Sequence, residues 1–156
     1  MDNLIDLIKR GHATPRFRRK LEVFWRFAES LAGLSVCKRA SVGCTIVDSR
    51  MLSVLAIGYN GPPARIENDR CRDVVGGCGC IHAESNALIK LRHVTAKMVL
   101  LTTTFPCEHC AGLIINSSCI FGIVYGVDYR DSTSRSLLDQ AGIPYAGFDT
   151  LVKESN

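Results

Sequence analysis

Apolar residues recur at helical spacing over residues 17–34, at Leu21, Phe24, Trp25, Phe27, Ala28, Leu31 and Leu34, opposite a charged face. The pattern then changes. Residues 42–47 are a β-branched run ended by Asp48-Ser49-Arg50, and residues 52–59 read as a second strand, so the two predict a hairpin. Asn60-Gly61-Pro62-Pro63 breaks it, and the polar, glycine-rich stretch to Gly79 has no period and predicts a loop. Residues 82–91 return to helical spacing through Ala83, Ala87, Leu88 and Leu91. A strand at 98–103, a short helix at 107–115, a strand at 120–127, a helix at 132–141 and a last short strand at 143–146 complete the chain. This order predicts a three-layer α/β/α sandwich around a mixed five-stranded sheet whose later strands, separated by helices, run parallel. Residues 17–156 read as a single domain. Residues 1–16 read as an N-terminal extension for which disorder and packing between subunits are both open.

A chain of 156 residues, 47% hydrophobic and 22% charged, suits one such domain with a real core. Its longest apolar runs are too short to cross a bilayer, and the amphipathic, acidic residues 1–8 lack the apolar core of a signal peptide. The expectation is a soluble protein of the cytoplasm. The net charge of +4 owes much to Arg16, Arg18, Arg19, Lys20 and Arg26. A solvated helix face explains it, and so does a field that attracts an anionic nucleotide. With aromatics at 7%, a nucleic-acid partner is not expected.

Eight cysteines change the picture, because in a reducing compartment clustered cysteines point to metal rather than to disulfides. His82-Ala83-Glu84 opens one predicted helix and Pro106-Cys107-Glu108-His109-Cys110 the next, matching the zinc-deaminase pattern H-x-E…P-C-x-x-C. A Cys-x-x-Cys step at a helix start puts both sulfurs on one side, about a turn apart, where they can share a tetrahedral ion. Helix N-termini favour thiolate over thiol. Three protein ligands, His82, Cys107 and Cys110, leave a fourth position for water, which marks a catalytic zinc rather than a structural one. Glu84, two residues beyond the ligand histidine, is placed to take the water's proton and hand it to N3 of a cytosine-type ring.

With these residues in view, the chain resembles the cytidine and deoxycytidylate deaminase superfamily, and within it the dCMP deaminases. The resemblance rests on Ser41-Val42-Gly43-Cys44-Thr45-Ile46-Val47, Gly58-Tyr59-Asn60-Gly61-Pro62-Pro63, Cys80-Ile81-His82-Ala83-Glu84-Ser85-Asn86-Ala87 and Thr104-Phe105-Pro106-Cys107-Glu108-His109-Cys110-Ala111. It implies a cytidine deaminase-like fold and a zinc-dependent hydrolase converting dCMP and water to dUMP and ammonia. It implies that Asn60 contacts the sugar and that Tyr129 packs near the base. Asn60-Gly61 is also a good turn pair on its own chemistry. For the 5′-phosphate, Arg39, Lys38 and Ser41 before the first strand are the candidates. The resemblance further implies a second, structural zinc on Cys37, Cys71, Cys78 and Cys80, and a homo-oligomer for which dimer and hexamer both fit. It also implies dCTP and dTTP as effectors. Cys44 and Cys119, in apolar surroundings, read as core residues. Two other readings stay open: a nucleoside or polynucleotide deaminase of the same fold, and a non-catalytic zinc-binding module.

Overall fold

The computed structural model describes residues 3–10, 13–66, 71–75, 77–92, 97–129 and 132–153. Parts of the N-terminal extension (residues 1–2 and 11–12) and of the expected loop (residues 67–70 and 76), with Arg130 and Asp131 after Tyr129, lie outside them. The chain folds as α1 (Leu4–Arg10), α2 (Pro15–Ala32), β1 (Gly43–Asp48), β2 (Val54–Tyr59), α3 (Ala83–Lys90), β3 (Met98–Thr104), α4 (Glu108–Asn116), β4 (Ile120–Val127), α5 (Thr133–Gln140), β5 (Tyr145–Gly147) and α6 (Phe148–Val152).

The strands form one sheet in the order β2-β1-β3-β4-β5. β1 pairs antiparallel with β2 and β3, while β3, β4 and β5 run parallel, so the expected mixed sheet and hairpin are present. The period of two sorts each strand between two cores. Cys44, Ile46, Met98, Leu100 and Ile123 face one core, with Ala83 and Ala87 of α3, Ile114 of α4 and Leu138 of α5. Val47, Val99, Leu101 and Val124 face the other, with Leu4 and Ile8 of α1, Leu21 and Trp25 of α2 and Leu151 of α6. Among the described residues three helices therefore cover each face, which is the expected α/β/α sandwich. β4 keeps its pattern through a bulge: Met98 pairs with Ile120 but Val99 with Gly122, which leaves Phe121 unpaired. The extra residue lets Ile120 and Ile123 share one core despite their odd spacing, and leaves Phe121 40% exposed.

Two helices have no counterpart in the sequence reading. At seven and five residues, α1 and α6 are too short to hold together without tertiary packing. The sequence leaves disorder and packing between subunits open for the N-terminal stretch, whereas Leu4–Arg10 packs on the core of its own chain. Leu4, Ile5, Leu7 and Ile8 are buried, and the Leu4 amide donates to Ser49 O at 2.7 Å. α2 starts two residues earlier than its apolar period suggests, because Pro15 at the first helical turn has no amide to satisfy.

Candidate metal centre and active-site cleft

His82 is the residue before α3 and Cys107 the residue before α4, both in extended backbone and neither using its side chain to cap its helix. Both side chains are free to turn towards each other. His82 Nδ1 lies 3.3 Å from Cys107 Sγ and 3.5 Å from Cys110 Sγ, and the three donor atoms fall within 4.8 Å of one another. Donors about 2.0–2.3 Å from a tetrahedral ion sit roughly 3.3–3.8 Å apart, so this set fits zinc in both chemistry and spacing. What brings α3 close enough is Gly58 on β2: a Cβ there would meet Ala83 O at 2.1 Å. The parallel strand β3 delivers the second half of the set, through Phe105-Pro106 into Cys107.

Glu84 lies in the first turn of α3 and is 4% exposed. Its Oε2 is 3.6 Å from Cys110 Sγ, and Thr102 Oγ1 of β3 approaches its Oε1 at 3.5 Å. Burial pushes the Glu84 carboxyl above its ordinary value, outweighing its own backbone amide and His82, which pull it down. The Cys107 thiol is held well below its ordinary value, first by the hydrogen bond from Cys110 and then by His82. Cys110 moves up, because it keeps its proton beside the Cys107 thiolate and is buried. Cys107 in turn raises the His82 imidazole. Sulfur anion, imidazole and a protonatable carboxyl thus converge on one point.

That point is the floor of a cleft of about 810 Å³, lined among others by Arg39, Asn60, Glu84, Phe105, His109 and Tyr129. Asn60 is buried and its amide is already engaged: Nδ2 donates to Ala40 O at 2.7 Å and Oδ1 accepts from the Val42 amide at 2.8 Å. It therefore clamps the segment before β1 as well as lining the cleft. Tyr129 is 44% exposed at the wall. Arg39 is exposed and lines the cleft, whereas the exposed Lys38 and Ser41 do not.

A second donor set lies beside the first. The sulfurs of Cys37, Cys71, Cys78 and Cys80 fall within 4.8 Å of one another. Two hydrogen bonds between Gly61 and Ile81, at 3.2 and 2.8 Å, close the base of the long loop and return its cysteines to Cys37, in the segment between α2 and β1. Gly79 at φ 83° lets the tight Cys78-Gly79-Cys80 step point both sulfurs inward. The backbone amides of Asp73 and Lys38 donate to the Cys71 sulfur and lower that thiol, which readies it for a cation. Cys44 and Cys119 are buried in the core, as expected.

The sequence reading did not single out Thr102, His109 or Phe105 as site residues. Phe105 and His109 stand inside the motif that contains Cys107 and Cys110, so their place at the cleft had a local signal. Thr102 had none, since it meets Glu84 only through the pairing of β3 with β1.

Residues 18–127 match the family described as cytidine and deoxycytidylate deaminase zinc-binding region. The chain belongs to that family. As a member of the cytidine and deoxycytidylate deaminase family it carries a zinc-binding region, and both donor sets fall inside the matched span. It is 36% identical over 138 residues to the deoxycytidylate deaminase of Saccharomyces cerevisiae, covering 80% of this chain and 43% of that protein. It is 32% identical over 138 residues to a probable deoxycytidylate deaminase of Caenorhabditis elegans, covering 81% and 68%. The chain thus spans less than half the length of the yeast relative. Among solved structures it is similar to the dCMP deaminase of the cyanophage S-TIM5 in complex with dCMP and dUMP. That likeness has a TM-score of 0.74 and 28% identity, over 87% of this chain and 99% of the other. Among the described residues no helix is long and apolar enough to cross a membrane.

Proposed function

We propose that this chain catalyses the hydrolytic deamination of deoxycytidylate, dCMP and water giving dUMP and ammonia. The observation that carries the proposal is the buried Glu84 carboxyl beside a His82–Cys107–Cys110 donor set at the floor of a cleft large enough for a nucleotide. The likeness to the cyanophage enzyme, solved with dCMP and dUMP, supports the choice of substrate. His82, Cys107 and Cys110 would hold a zinc ion, which would supply the Lewis acidity that makes water a competent nucleophile near neutral pH. Glu84 moves the protons. It takes one from the attacking water, gives it to N3 of the cytosine, and transfers the second to the 4-amino group, so that the C4–N bond breaks, ammonia leaves and C4 keeps the oxygen. A carboxyl whose affinity for protons is raised by burial suits such a shuttle, since it must hold each proton between two transfers. Tyr129 walls the base, Asn60 faces the sugar and Arg39 receives the 5′-phosphate in this reading, which their places on the cleft support.

The same reading includes a second, structural zinc on Cys37, Cys71, Cys78 and Cys80, supported by their convergence and by a loop with little apolar content to fold it otherwise. It treats residues 17–156 as one deaminase domain, with α1 docked on it. A homo-oligomer is supported by the exposed Val75, Ile89 and Leu113 at the cleft. The regulation by dCTP and dTTP rests on the resemblance, and the placement in the cytoplasm on the composition of the chain.

The test is ammonia release together with the cytosine-to-uracil absorbance change on dCMP, CMP, deoxycytidine, dCTP and a short single-stranded DNA. Turnover of dCMP far above the rest is expected. Glu84→Ala should lower it by at least about 10³-fold while leaving zinc bound. Activity on the oligonucleotide alone would replace the proposal by an editing enzyme, and no activity on any substrate would leave a zinc-binding module.

A further inference from the structure

Arg135 on α5 lies behind the cleft wall with its guanidinium enclosed by three rings. Its Cζ is 4.1 Å from the Phe105 ring centroid, 5.2 Å from that of Tyr125 and 5.1 Å from that of Tyr145. The rings meet edge to face, Phe105 with Tyr125 at 4.8 Å and with Tyr145 at 5.3 Å. Arg135 Nη2 donates to the Tyr125 hydroxyl at 3.4 Å and pairs with the Asp128 carboxylate. An exposed ion pair alone contributes about 0–1 kcal/mol and holds little in place. A planar guanidinium stacked on aromatics and bonded at its edge is far more rigid.

Tyr125 and Tyr145 stand on β4 and β5, while Phe105 and Asp128 lie in the turns that follow β3 and β4. Phe105 leads directly into Pro106-Cys107, is 1% exposed and lines the cleft. Asp128 directly precedes Tyr129, whose half-exposed ring is placed by the backbone that carries it. The turn after β3 brings the metal ligand and the turn after β4 brings the proposed wall for the base. Arg135 touches both, through Phe105 and Asp128.

We propose that Arg135 is a positioning residue. By stacking on Phe105 and holding Asp128, it ties the two turns together and fixes Tyr129 where the base enters. This rests on the reading of the cleft as a dCMP site walled by Tyr129, and it adds a residue that acts through Tyr129.

The test is a double-mutant cycle. Arg135→Met removes the charge and the fork but keeps an unbranched stem, and Asp128→Asn removes the ion pair without touching the rings. Each is measured for dCMP kcat and KM, zinc content and Tm, alone and combined with Tyr129→Ala. Arg135→Met is expected to raise KM about tenfold, within the range of coupling between contacting residues, with kcat within about threefold and zinc unchanged. Asp128→Asn should raise KM by about threefold, and Arg135→Lys should fall between Arg135→Met and the parent. Combined with Tyr129→Ala, the effects of Arg135→Met and Asp128→Asn should shrink below about twofold, because the residue they position is gone. Undiminished effects in that background overturn the inference, as does a joint loss of kcat and zinc with KM unchanged. If Arg135→Met does not fold, Asp128→Asn decides alone. If Tyr129→Ala by itself leaves KM unchanged, the inference fails with the role of Tyr129, while dCMP turnover by the parent protein keeps the deaminase reading intact.

Discussion

Replacing Gly58 by alanine should inactivate this protein by moving a helix rather than by touching the chemistry. The added Cβ would lie 2.1 Å from Ala83 O and 2.6 Å from Ala87 N, both backbone atoms of α3, so no side chain can rotate away. Restoring ordinary contact at about 3.4 Å requires α3 to retreat by about 1.3 Å at its first turn. That turn carries Glu84 and is led by His82. A misplacement of about 1 Å at a reacting group costs on the order of 10²-fold in rate, so kcat for dCMP should fall by about 10²-fold or more. Gly43 supplies the control. Its Cβ would meet Ala28 O at 1.9 Å and Ala32 N at 2.6 Å, on α2 across the sheet, a clash of similar severity against a helix that carries none of the candidate site residues. Both variants should lose about 1–3 kcal/mol of stability from overpacking. In a domain of this size that lowers Tm by roughly 3–10 °C. Only Gly58→Ala should lose turnover per folded molecule, with Gly43→Ala within about threefold of the parent. The assay is steady-state dCMP deamination normalised to folded protein, with zinc content measured alongside. Full kcat in Gly58→Ala, or equal losses in both variants, would refute the argument.

Leu4→Ala should cost about 2–5 kcal/mol, since Leu4 is fully buried against the core under α1, with kcat unchanged; thermal unfolding checks this, and an unaltered Tm would detach α1 from the fold. Cys71→Ser should reduce bound zinc from two ions per chain to one and lower Tm, as read by elemental analysis and thermal unfolding, and an unchanged metal count would remove the second site. Asn60→Ala should cost about 1–3 kcal/mol, because the Val42 amide loses its acceptor and the Ala40 carbonyl keeps only Ser35 Oγ at 3.5 Å. If instead Tm holds and only the KM for dCMP rises, Asn60 serves the sugar rather than the backbone.

How much of this was legible in the chain depends on how far apart the interacting residues are. His82 and Glu84 lie within one helical turn, as do Cys107 and Cys110, so their local spacing already implied a shared ion and a neighbouring carboxyl. The strands were readable from their period of two, and the α/β/α order followed from the alternation of elements. α1 and α6 were not readable, because seven and five residues carry too weak a period to predict a helix whose stability comes from distant side chains. The bulge at Phe121 was hidden for the same reason, as its cause is the register of β4 against β3.

The sequence by itself determined the donor types, their pairing within each motif, the order of helices and strands, and the family to which the chain belongs. The tertiary structure alone decided that the two motifs meet, since His82 and Cys107 are separated by a strand and come within 3.3 Å only because β2 and β3 flank β1 in one sheet. It also decided that Cys37, Cys71, Cys78 and Cys80 converge, that the Asn60 side chain holds the Ala40 and Val42 backbone, and that Arg135 meets both Phe105 and Asp128. Local motifs follow the chain's own geometry, whereas contacts between elements exist only after burial of the two cores has fixed how the sheet and helices pack.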